Sequence, residues 1–262
     1  MTTCLTVATL NMRGLPLKGS RLRERFAAIA AEFDAADIDL VCLQEVFAYH
    51  HLSHLRKRMP SFPYVAYRPS AIGPAGGQVT LSRLRPTSTT YAGLPWSPRA
   101  SALPVRARLN AIHSGMLTVR LAGIRVLNVH PMANTDGDWS EQNRFYELQR
   151  DQFRALARAV TADDSPAVVC GDFNVSQSST LHRELQQRTG LRDAFDGLCP
   201  PTFHAEYLAP GNKPQCIDFI LATETIGVDR TDLLFTDKRA LPSGPTYLSD
   251  HIGLLAHLQL RG

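Results

Sequence analysis

The feature that most constrains this chain is a short apolar run at residues 168–170 that leads directly into Gly171, Asp172, Phe173 and Asn174. Two valines and a cysteine in succession predict a strand that is buried on both faces. The glycine that follows tolerates backbone angles that other residues avoid, so the strand can end there abruptly. If the strand continues past the glycine, its period of two puts the side chains of Asp172 and Asn174 on the same side. The run therefore predicts a carboxylate and an amide held side by side at the rim of a buried sheet.

The same arrangement, a strand-length apolar run that ends in a polar residue, recurs along the chain. Strands are predicted at residues 5–10, 38–43, 62–67, 78–81, 112–121, 124–129, 168–170, 216–221, 228–235 and 252–260. Helices with an apolar stripe are predicted at residues 20–36, 50–59, 141–160 and 181–188. Residues 85–108, which hold several prolines, are expected to form a long loop or an irregular edge. No change of composition divides the chain, so residues 1–262 are expected to fold as one α/β domain of two packed sheets covered by helices.

The composition argues against several classes of protein. The apolar runs fall far short of the roughly 20 residues that a membrane helix needs, so no stable membrane insertion is expected. The five cysteines are odd in number and three of them lie inside apolar runs, which argues against a disulfide scaffold. The N-terminus lacks the pattern of a signal peptide, which predicts a cytoplasmic location unless a leader was removed. The formal charge of +4 fits an anionic substrate without requiring one.

The polar residues at the ends of these runs are the candidates for a functional site. They are Asn11, Glu45, Asn128, His130, Asp172, Asn174, Asp218, Asp250 and His251. Taken singly, Asn11 is typical of a turn and Glu45 of a surface charge, whereas Asp218 within an apolar strand needs a partner. Taken together, they offer carboxylates, amides and two imidazoles without a Cys-x-x-Cys pair. This donor set suits Mg²⁺, or Mn²⁺ as the alternative, rather than structural zinc, and protein Mg²⁺ sites commonly accompany phosphate.

Six short motifs in this order resemble the endonuclease/exonuclease/phosphatase superfamily. They are residues 10–14 (Leu-Asn-Met-Arg-Gly), 43–45 (Leu-Gln-Glu), 128–130 (Asn-Val-His), 171–174 (Gly-Asp-Phe-Asn), 217–220 (Ile-Asp-Phe-Ile) and 249–251 (Ser-Asp-His). The resemblance extends from the first predicted strand to the last. It implies a four-layer α/β sandwich, in which two mixed, mainly antiparallel sheets pack face to face with helices outside. It also implies hydrolysis of a phosphate ester with the help of a divalent metal ion.

The resemblance further implies a role for each candidate residue. Glu45 corresponds to the principal metal ligand, with Asn11 and Asp250 near the ion. The implied catalytic residues are Asp172, which orients or deprotonates the attacking water, Asn174 and His130, which donate to phosphoryl oxygens, and His251 with its carboxylate partner Asp218. Asn128, Arg13 and Arg83 are expected to contact the substrate. Whether His251 acts as acid, base or electrostatic stabiliser, and whether one or two ions bind, stays open.

The expected activity is that of a Mg²⁺-dependent phosphodiesterase or nuclease, which breaks a P–O bond by in-line attack of water. Three alternatives remain: a phosphatase acting on a small metabolite, a sphingomyelinase-like lipid phosphodiesterase, and a catalytically inactive scaffold of the same fold. The substrate is accordingly nucleic acid, a nucleotide, a phospholipid or a phosphorylated metabolite, and the protein is expected to be a monomer. Residues proposed to line the rim of the site are Arg99, Arg106, Arg108, Trp96 and Trp139.

Overall fold

A computed structural model describes residues 3–16, 19–96, 114–135 and 137–260. Its strands are β1 (Thr3–Asn11), β2 (Leu40–Gln44), β3 (Tyr64–Ala66), β4 (Val79–Ser82), β5 (Ser88–Gly93), β6 (Gly115–Leu121), β7 (Ile124–His130), β8 (Ala167–Asp172), β9 (Arg192–Asp193), β10 (Asp218–Ala222), β11 (Ile226–Leu234), β12 (Arg239–Leu241), β13 (Gly244–Thr246) and β14 (Gly253–Leu260). Its α-helices are α1 (Leu22–Ala35), α2 (Tyr49–Arg58), α3 (Tyr146–Thr161) and α4 (Thr180–Thr189). Short 3₁₀ turns cover Ala75–Gly77 and Ala205–Tyr207.

Two six-stranded sheets carry the fold. The first has the order β11-β14-β1-β2-β4-β3 and the second β5-β6-β7-β8-β10-β9, with β12 and β13 forming a separate hairpin. Each large sheet contains one parallel pair, β1–β2 in the first and β7–β8 in the second, and its other neighbours are antiparallel. The expected mixed, mainly antiparallel sheets are confirmed.

Four layers result from the alternation of side chains along the strands. Val7 of β1 packs in the core that joins the two sheets and extends to α3 and α4, whereas its neighbour Ala8 packs against α1 and α2. In β2, Cys42 likewise packs in the core between the two sheets, and Val41 packs in the core with α1 and α2. Because strand side chains point alternately to opposite faces, a sheet covered on both sides must be apolar at almost every position. The observed layers are therefore helices, sheet, sheet and helices.

Most boundaries differ by a few residues from the sequence-based prediction, and two of the shifts have a clear local cause. Helix α3 begins at Tyr146 rather than at residue 141, because Asn143 donates its side-chain amide to Ser140 O and accepts from Phe145 N. Such local side-chain bonds compete with the helical pattern. Strand β10 begins at Asp218, so this carboxylate stands at the start of the strand rather than in its middle. The backbone amides of residues 217 and 218 both donate to Thr202 Oγ1 instead of continuing the ladder.

Part of the expected irregular segment 85–108 is regular. Residues 88–93 form β5, which pairs along β6 at the edge of the second sheet. The period-two pattern is weak there because five of the six side chains of β5 are exposed. Residues 97–108 lie outside the described part of the chain, as do Arg99, Arg106 and Arg108. The hairpin β12–β13 had no counterpart in the prediction.

Candidate active site

The sheet topology brings the predicted polar residues to one edge. The parallel strands β1 and β2 both end there, and so do β7 and β8 in the facing sheet. The antiparallel strands β10 and β14 begin at the same edge, with Asp218 opposite Asp172 and Leu254 opposite Thr9. Gly171 keeps β8 close to β7, since a Cβ on it would lie 2.1 Å from Val129 O and its φ of +143° disfavours other residues. The strand ends of two sheets thus converge around one site.

Asp172 lies at the centre of the hydrogen-bond network. Its side chain is 2% exposed, and its Oδ2 accepts a hydrogen bond of 3.0 Å from Asn11 Nδ2. The Nε2 atoms of His130 and His251 each lie 3.7 Å from the same oxygen. The other carboxylate oxygen accepts from Asn174 N at 2.9 Å. One buried carboxylate is therefore reached by two imidazoles and an amide from three other segments.

His251 and Asp218 form a buried pair. His251 Nδ1 donates to Asp218, with distances of 3.1 and 2.9 Å to its two carboxylate oxygens. Burial opposes the charged imidazole, but the carboxylates of Asp218 and Asp172 outweigh it and raise the pKa of His251 well above its usual value. Burial also raises the pKa of Asp218, while the charge of His251 acts against that rise. The pair thus fixes the tautomer of His251 and directs Nε2 toward Asp172.

Glu45 follows β2 in a left-handed backbone conformation, with φ of +60°. Its Oε1 accepts from Asn11 Nδ2 at 3.3 Å and its Oε2 from Gly14 N at 3.1 Å. Gly14 is required for this approach, because a Cβ there would lie 1.7 Å from Glu45 O. Burial raises the pKa of the Glu45 carboxyl, an effect that His130 and His251 oppose and Asp250 reinforces. The charged form of Glu45 is therefore incompletely compensated by the protein.

Asp250 and Arg13 complete the edge of the site. Arg13 Nε lies 3.4 Å from Asp250 Oδ2, and the Arg13 guanidinium stacks over the ring of Tyr207 at 4.1 Å. Arg13 N donates to Asn11 Oδ1, and Ser249 Oγ donates to Asn11 O at 2.6 Å. These bonds tie the segment after β1 to the segment before β14. Arg13 thus lies beside Asn11 and Asp250, and its charge is directed to Asp250.

The donor chemistry fits a divalent cation of the Mg²⁺ type. The carboxylates of Glu45 and Asp172 both approach the Asn11 amide nitrogen, so negative charge accumulates around one point. Glu45, Asp250 and the Asn11 amide offer the hard oxygen atoms that Mg²⁺ and Mn²⁺ prefer. Among the described residues, one group of three has ligand atoms mutually within 4.8 Å, namely Asp172, Asp218 and His251. Both oxygens of Asp218 are directed at His251 Nδ1, so that group is first of all a hydrogen-bonded set.

Two predicted substrate contacts are wrong in this structure. Asn128 is fully buried between the sheets, where it accepts from Gln44 Nε2 and donates to Leu43 O and Val79 O. It therefore joins the two sheets. Arg83 donates to the carbonyls of Ile38 and Ala36 at the start of β2. Ile38 lies seven residues before Glu45, about 23 Å along an extended strand.

Asn174 and His130, the predicted donors to a phosphate, both lie beside Asp172. Asn174 Nδ2 donates to Pro131 O at 3.1 Å, which engages one of the two N–H bonds of its amide. His130 is 8% exposed, and its buried Nδ1 has no protein partner. One N–H of the Asn174 amide therefore remains for a ligand, whereas the unpaired Nδ1 of His130 is shielded and its Nε2 is the ring nitrogen that faces Asp172.

Three buried residues that the sequence did not single out hold these segments in place. Arg25 of α1, 1% exposed, donates to Met12 O, Arg13 O and Leu248 O, and burial lowers its pKa to about 10. Gln149 of α3 donates to Met132 O and Asn174 O, both at 2.9 Å. Thr202 accepts from Asp218 N at 3.1 Å. The only sequence signal for Arg25 and Gln149 was a polar residue at a core-facing helix position. Their partners are backbone carbonyls of distant segments, which a sequence pattern does not identify.

Both tryptophans proposed for the rim lie within the described residues. Trp96 is exposed and Trp139 is half-buried in the loop before α3. No helix in the described ranges is long and apolar enough to cross a membrane.

Comparisons with known proteins agree with this architecture. Residues 8–251 match the family described as Endonuclease/Exonuclease/phosphatase family. A candidate neutral sphingomyelinase of Drosophila melanogaster is 21% identical over 271 residues, covering 98% of this chain but only 61% of that protein. The chain therefore spans less than two thirds of the length of this relative.

Two solved structures show the same fold. The endonuclease/exonuclease/phosphatase from Bacteroides vulgatus superposes with a TM-score of 0.72 at 19% identity, covering 98% of this chain and 99% of that one. D. rerio TDP2, in complex with a single-strand DNA product, gives a TM-score of 0.72 at 16% identity, covering 98% and 99%. The match over residues 8–251, the four layers and the convergence of the strand ends lead to one conclusion. The chain belongs to the endonuclease/exonuclease/phosphatase family, whose members are metal-dependent hydrolases of phosphoric esters.

Proposed function

We propose that this protein is a Mg²⁺-dependent phosphodiesterase, with Mn²⁺ as the alternative ion. The observation that carries the proposal is the approach of His130, His251 and Asn11 to the buried carboxylate of Asp172. Glu45, Asn11 and Asp250 would hold the ion. When bound, the ion would supply Lewis-acid stabilisation of the charge that develops on the phosphoryl oxygens.

In the proposed in-line attack by water, each residue of the site has a different role. Asp172 accepts a proton from the attacking water while the water oxygen bonds to phosphorus. The leaving oxygen keeps the electron pair of the broken P–O bond and takes its proton from solvent. His251, kept charged by Asp218, stabilises the negative charge of the pentavalent phosphorus species. His130 and the remaining N–H of Asn174 donate to the phosphoryl oxygens. Their fixed positions reduce the entropy lost in reaching the transition state.

A diester fits this donor set better than a monoester. A phosphomonoester carries nearly two negative charges at neutral pH, whereas a diester carries one. Among the described residues of the site, Arg13 is the arginine that could neutralise a phosphate, and its guanidinium already pairs with Asp250. The other donors are imidazoles and amides. A metabolite phosphatase is therefore the weaker candidate.

A lipid phosphodiesterase of the sphingomyelinase type is the second candidate function. The relative from Drosophila melanogaster is named for that activity. An apolar cavity beside Glu45 gives this candidate physical support. The structural likeness to D. rerio TDP2 extends to the fold alone and leaves nucleic acid as a substrate to be tested.

Hydrolysis of chromogenic esters tests the proposal. The purified protein is incubated with bis(p-nitrophenyl) phosphate or p-nitrophenyl phosphate in Mg²⁺, in Mn²⁺ and in EDTA. We expect metal-dependent release of p-nitrophenol from the diester and little from the monoester. Turnover of the monoester alone would favour a phosphatase. No turnover of either ester by a folded protein in either metal would favour an inactive scaffold, and unchanged activity in EDTA would contradict the role of the metal.

A further inference from the structure

An apolar cavity of about 430 Å³ adjoins the candidate metal site. Glu45 and His130 belong to its wall, so the cavity is continuous with the place where the reacting phosphate would bind. The apolar side chains of its wall include Leu15, Leu22, Phe47, Ala48, Ile72 and Pro131. Its volume lies within the roughly 300–1,000 Å³ of sites that take small organic molecules.

The charges of the wall restrict what can bind there. Glu45 is the one carboxylate among the described residues of the wall, and none of them is an arginine or a lysine. His51, which also belongs to the wall, is 8% exposed, and burial lowers its pKa to about 4, so it is neutral at pH 7. A second phosphate group in the cavity would therefore lose its hydration without meeting an arginine or a lysine of the described wall, whose remaining polar rings are the imidazoles of His50 and His130.

We propose that this cavity binds an uncharged apolar substituent, an alkyl chain or an aromatic ring, that is esterified to the phosphate hydrolysed at the adjacent site. The inference rests on the proposed phosphodiesterase function and specifies its substrate class. Each CH₂ group transferred from water into such a cavity can raise affinity by up to about fourfold. A polynucleotide is the opposite case, because the phosphate next to the reacting one carries a charge for which the described wall offers no arginine or lysine.

Binding of alkylphosphonates tests the inference without relying on turnover. Methylphosphonate and hexylphosphonate carry the same head group and differ only in apolar length. Isothermal titration calorimetry of each in the presence of Mg²⁺, with thymidine 5′-monophosphate as a third ligand, gives three dissociation constants. We expect hexylphosphonate to bind at least tenfold more tightly than methylphosphonate and more tightly than the nucleotide. Equal affinities for the two phosphonates, or tightest binding of the nucleotide, would overturn the proposal.

Two substitutions that reduce the volume of the cavity locate the effect. Ala48→Leu and Ala133→Leu both add bulk to the wall, and Ala162→Leu, on an exposed site after α3, is the matched control. We expect the preference for hexylphosphonate to fall at least fivefold in either wall variant that folds, and to be unchanged in the control. A preference that survives in both folded wall variants would place the apolar chain elsewhere and contradict the proposal. If neither variant folds, the three dissociation constants of the unaltered protein still decide the matter.

The two proposals fail in different ways. Absence of turnover with bis(p-nitrophenyl) phosphate, together with a strong preference for hexylphosphonate, would remove the proposed function and leave the apolar site. Metal-dependent turnover without any preference for the longer chain would leave the function and remove the site.

Discussion

Asp172 and His251 are the residues on which the proposed chemistry depends most. Each is almost fully buried, and His251 Nε2 lies 3.7 Å from Asp172 Oδ2. We expect Asp172→Asn and His251→Gln each to lower kcat about 10²- to 10⁴-fold, the usual contribution of a positioned proton acceptor or donor. Steady-state kinetics with bis(p-nitrophenyl) phosphate measures the loss, and circular dichroism checks the fold. Asp232→Asn, at a largely exposed ion pair on β11, is the control and should keep normal activity.

Gly14 shows how a residue without a side chain contributes to the site. The added Cβ of Gly14→Ala would lie 1.7 Å from Glu45 O, so the segment that holds Glu45 must move. We expect a loss of about 1–3 kcal/mol in stability, as in overpacked cores, and a higher Mg²⁺ concentration for half-maximal activity. Thermal unfolding and a Mg²⁺ titration measure the two effects. In the control Gly93→Ala the Cβ meets nothing within 4 Å, and a Gly14 variant that behaved like it would contradict the close packing inferred here.

The sequence identified individual residues where strand pattern and chemistry coincide. Asp172, Asn174 and His251 stand at the ends of apolar runs, and the structure brings them to one edge. Asn128 occupies the same kind of position, yet its amide joins the sheets. Strand periodicity states which side of a sheet a residue faces but not whether that side meets another sheet or solvent. Arg25 was not identified for a related reason, since its four backbone carbonyl partners include one that lies 223 residues away in the sequence.

At the scale of elements, helix α3 acts as a support for the site. Gln149 binds the carbonyls of Met132 and Asn174, the segments that follow β7 and β8. We expect Gln149→Met, which keeps the shape but removes both bonds, to lower kcat at least about tenfold with little change in KM, because small displacements impair in-line attack. Gln187→Met on the exposed face of α4 is the matched control. A kcat within twofold of normal for Gln149→Met would refute the positioning role.

Helix α4 gives the fold a predictable dependence on pH. Burial lowers the pKa of His182 to about 4, and its ring packs against Phe219 with centroids 4.3 Å apart. Between pH 6.5 and 4 the unfolded chain binds a proton that the folded chain does not, so stability falls as pH falls. We expect His182 alone to account for a loss of about 2 kcal/mol between pH 8 and pH 5.

Urea unfolding at these two pH values measures the effect of His182. In His182→Gln the difference in free energy of unfolding between pH 8 and pH 5 should shrink by about 2 kcal/mol, although His51 keeps a similar contribution because burial also lowers its pKa to about 4. An unchanged difference would show that His182 is already protonated, or accessible, in the folded protein.

Element boundaries were predicted less well than element types, for reasons that the structure makes clear. Helix α3 starts late because Asn143 bonds locally, and β10 starts late because Thr202 takes two backbone amides. Strand β5 was missed because its side chains are mostly exposed, so its order depends on the backbone of β6. Neither local side-chain hydrogen bonds nor pairing at the edge of a sheet requires a regular spacing of apolar residues, so a hydrophobic pattern predicts their effects poorly.

For the whole molecule, the central claim is that two sheets bring distant segments to one divalent cation. The four-layer fold followed from the resemblance of the motifs. The approach of Glu45, Asn11 and Asp172 depends in addition on the pairing of β1 with β2 and on the packing of the two sheets, which brings Asp172 to Asn11, 161 residues earlier in the sequence. Anomalous diffraction from crystals grown with Mn²⁺ tests the claim most directly. We predict a peak at bonding distance, about 2.0–2.6 Å, from a carboxylate oxygen of Glu45, with Asn11 and Asp250 beside it. A folded, active protein whose bound Mn²⁺ lies away from Glu45 would contradict the account.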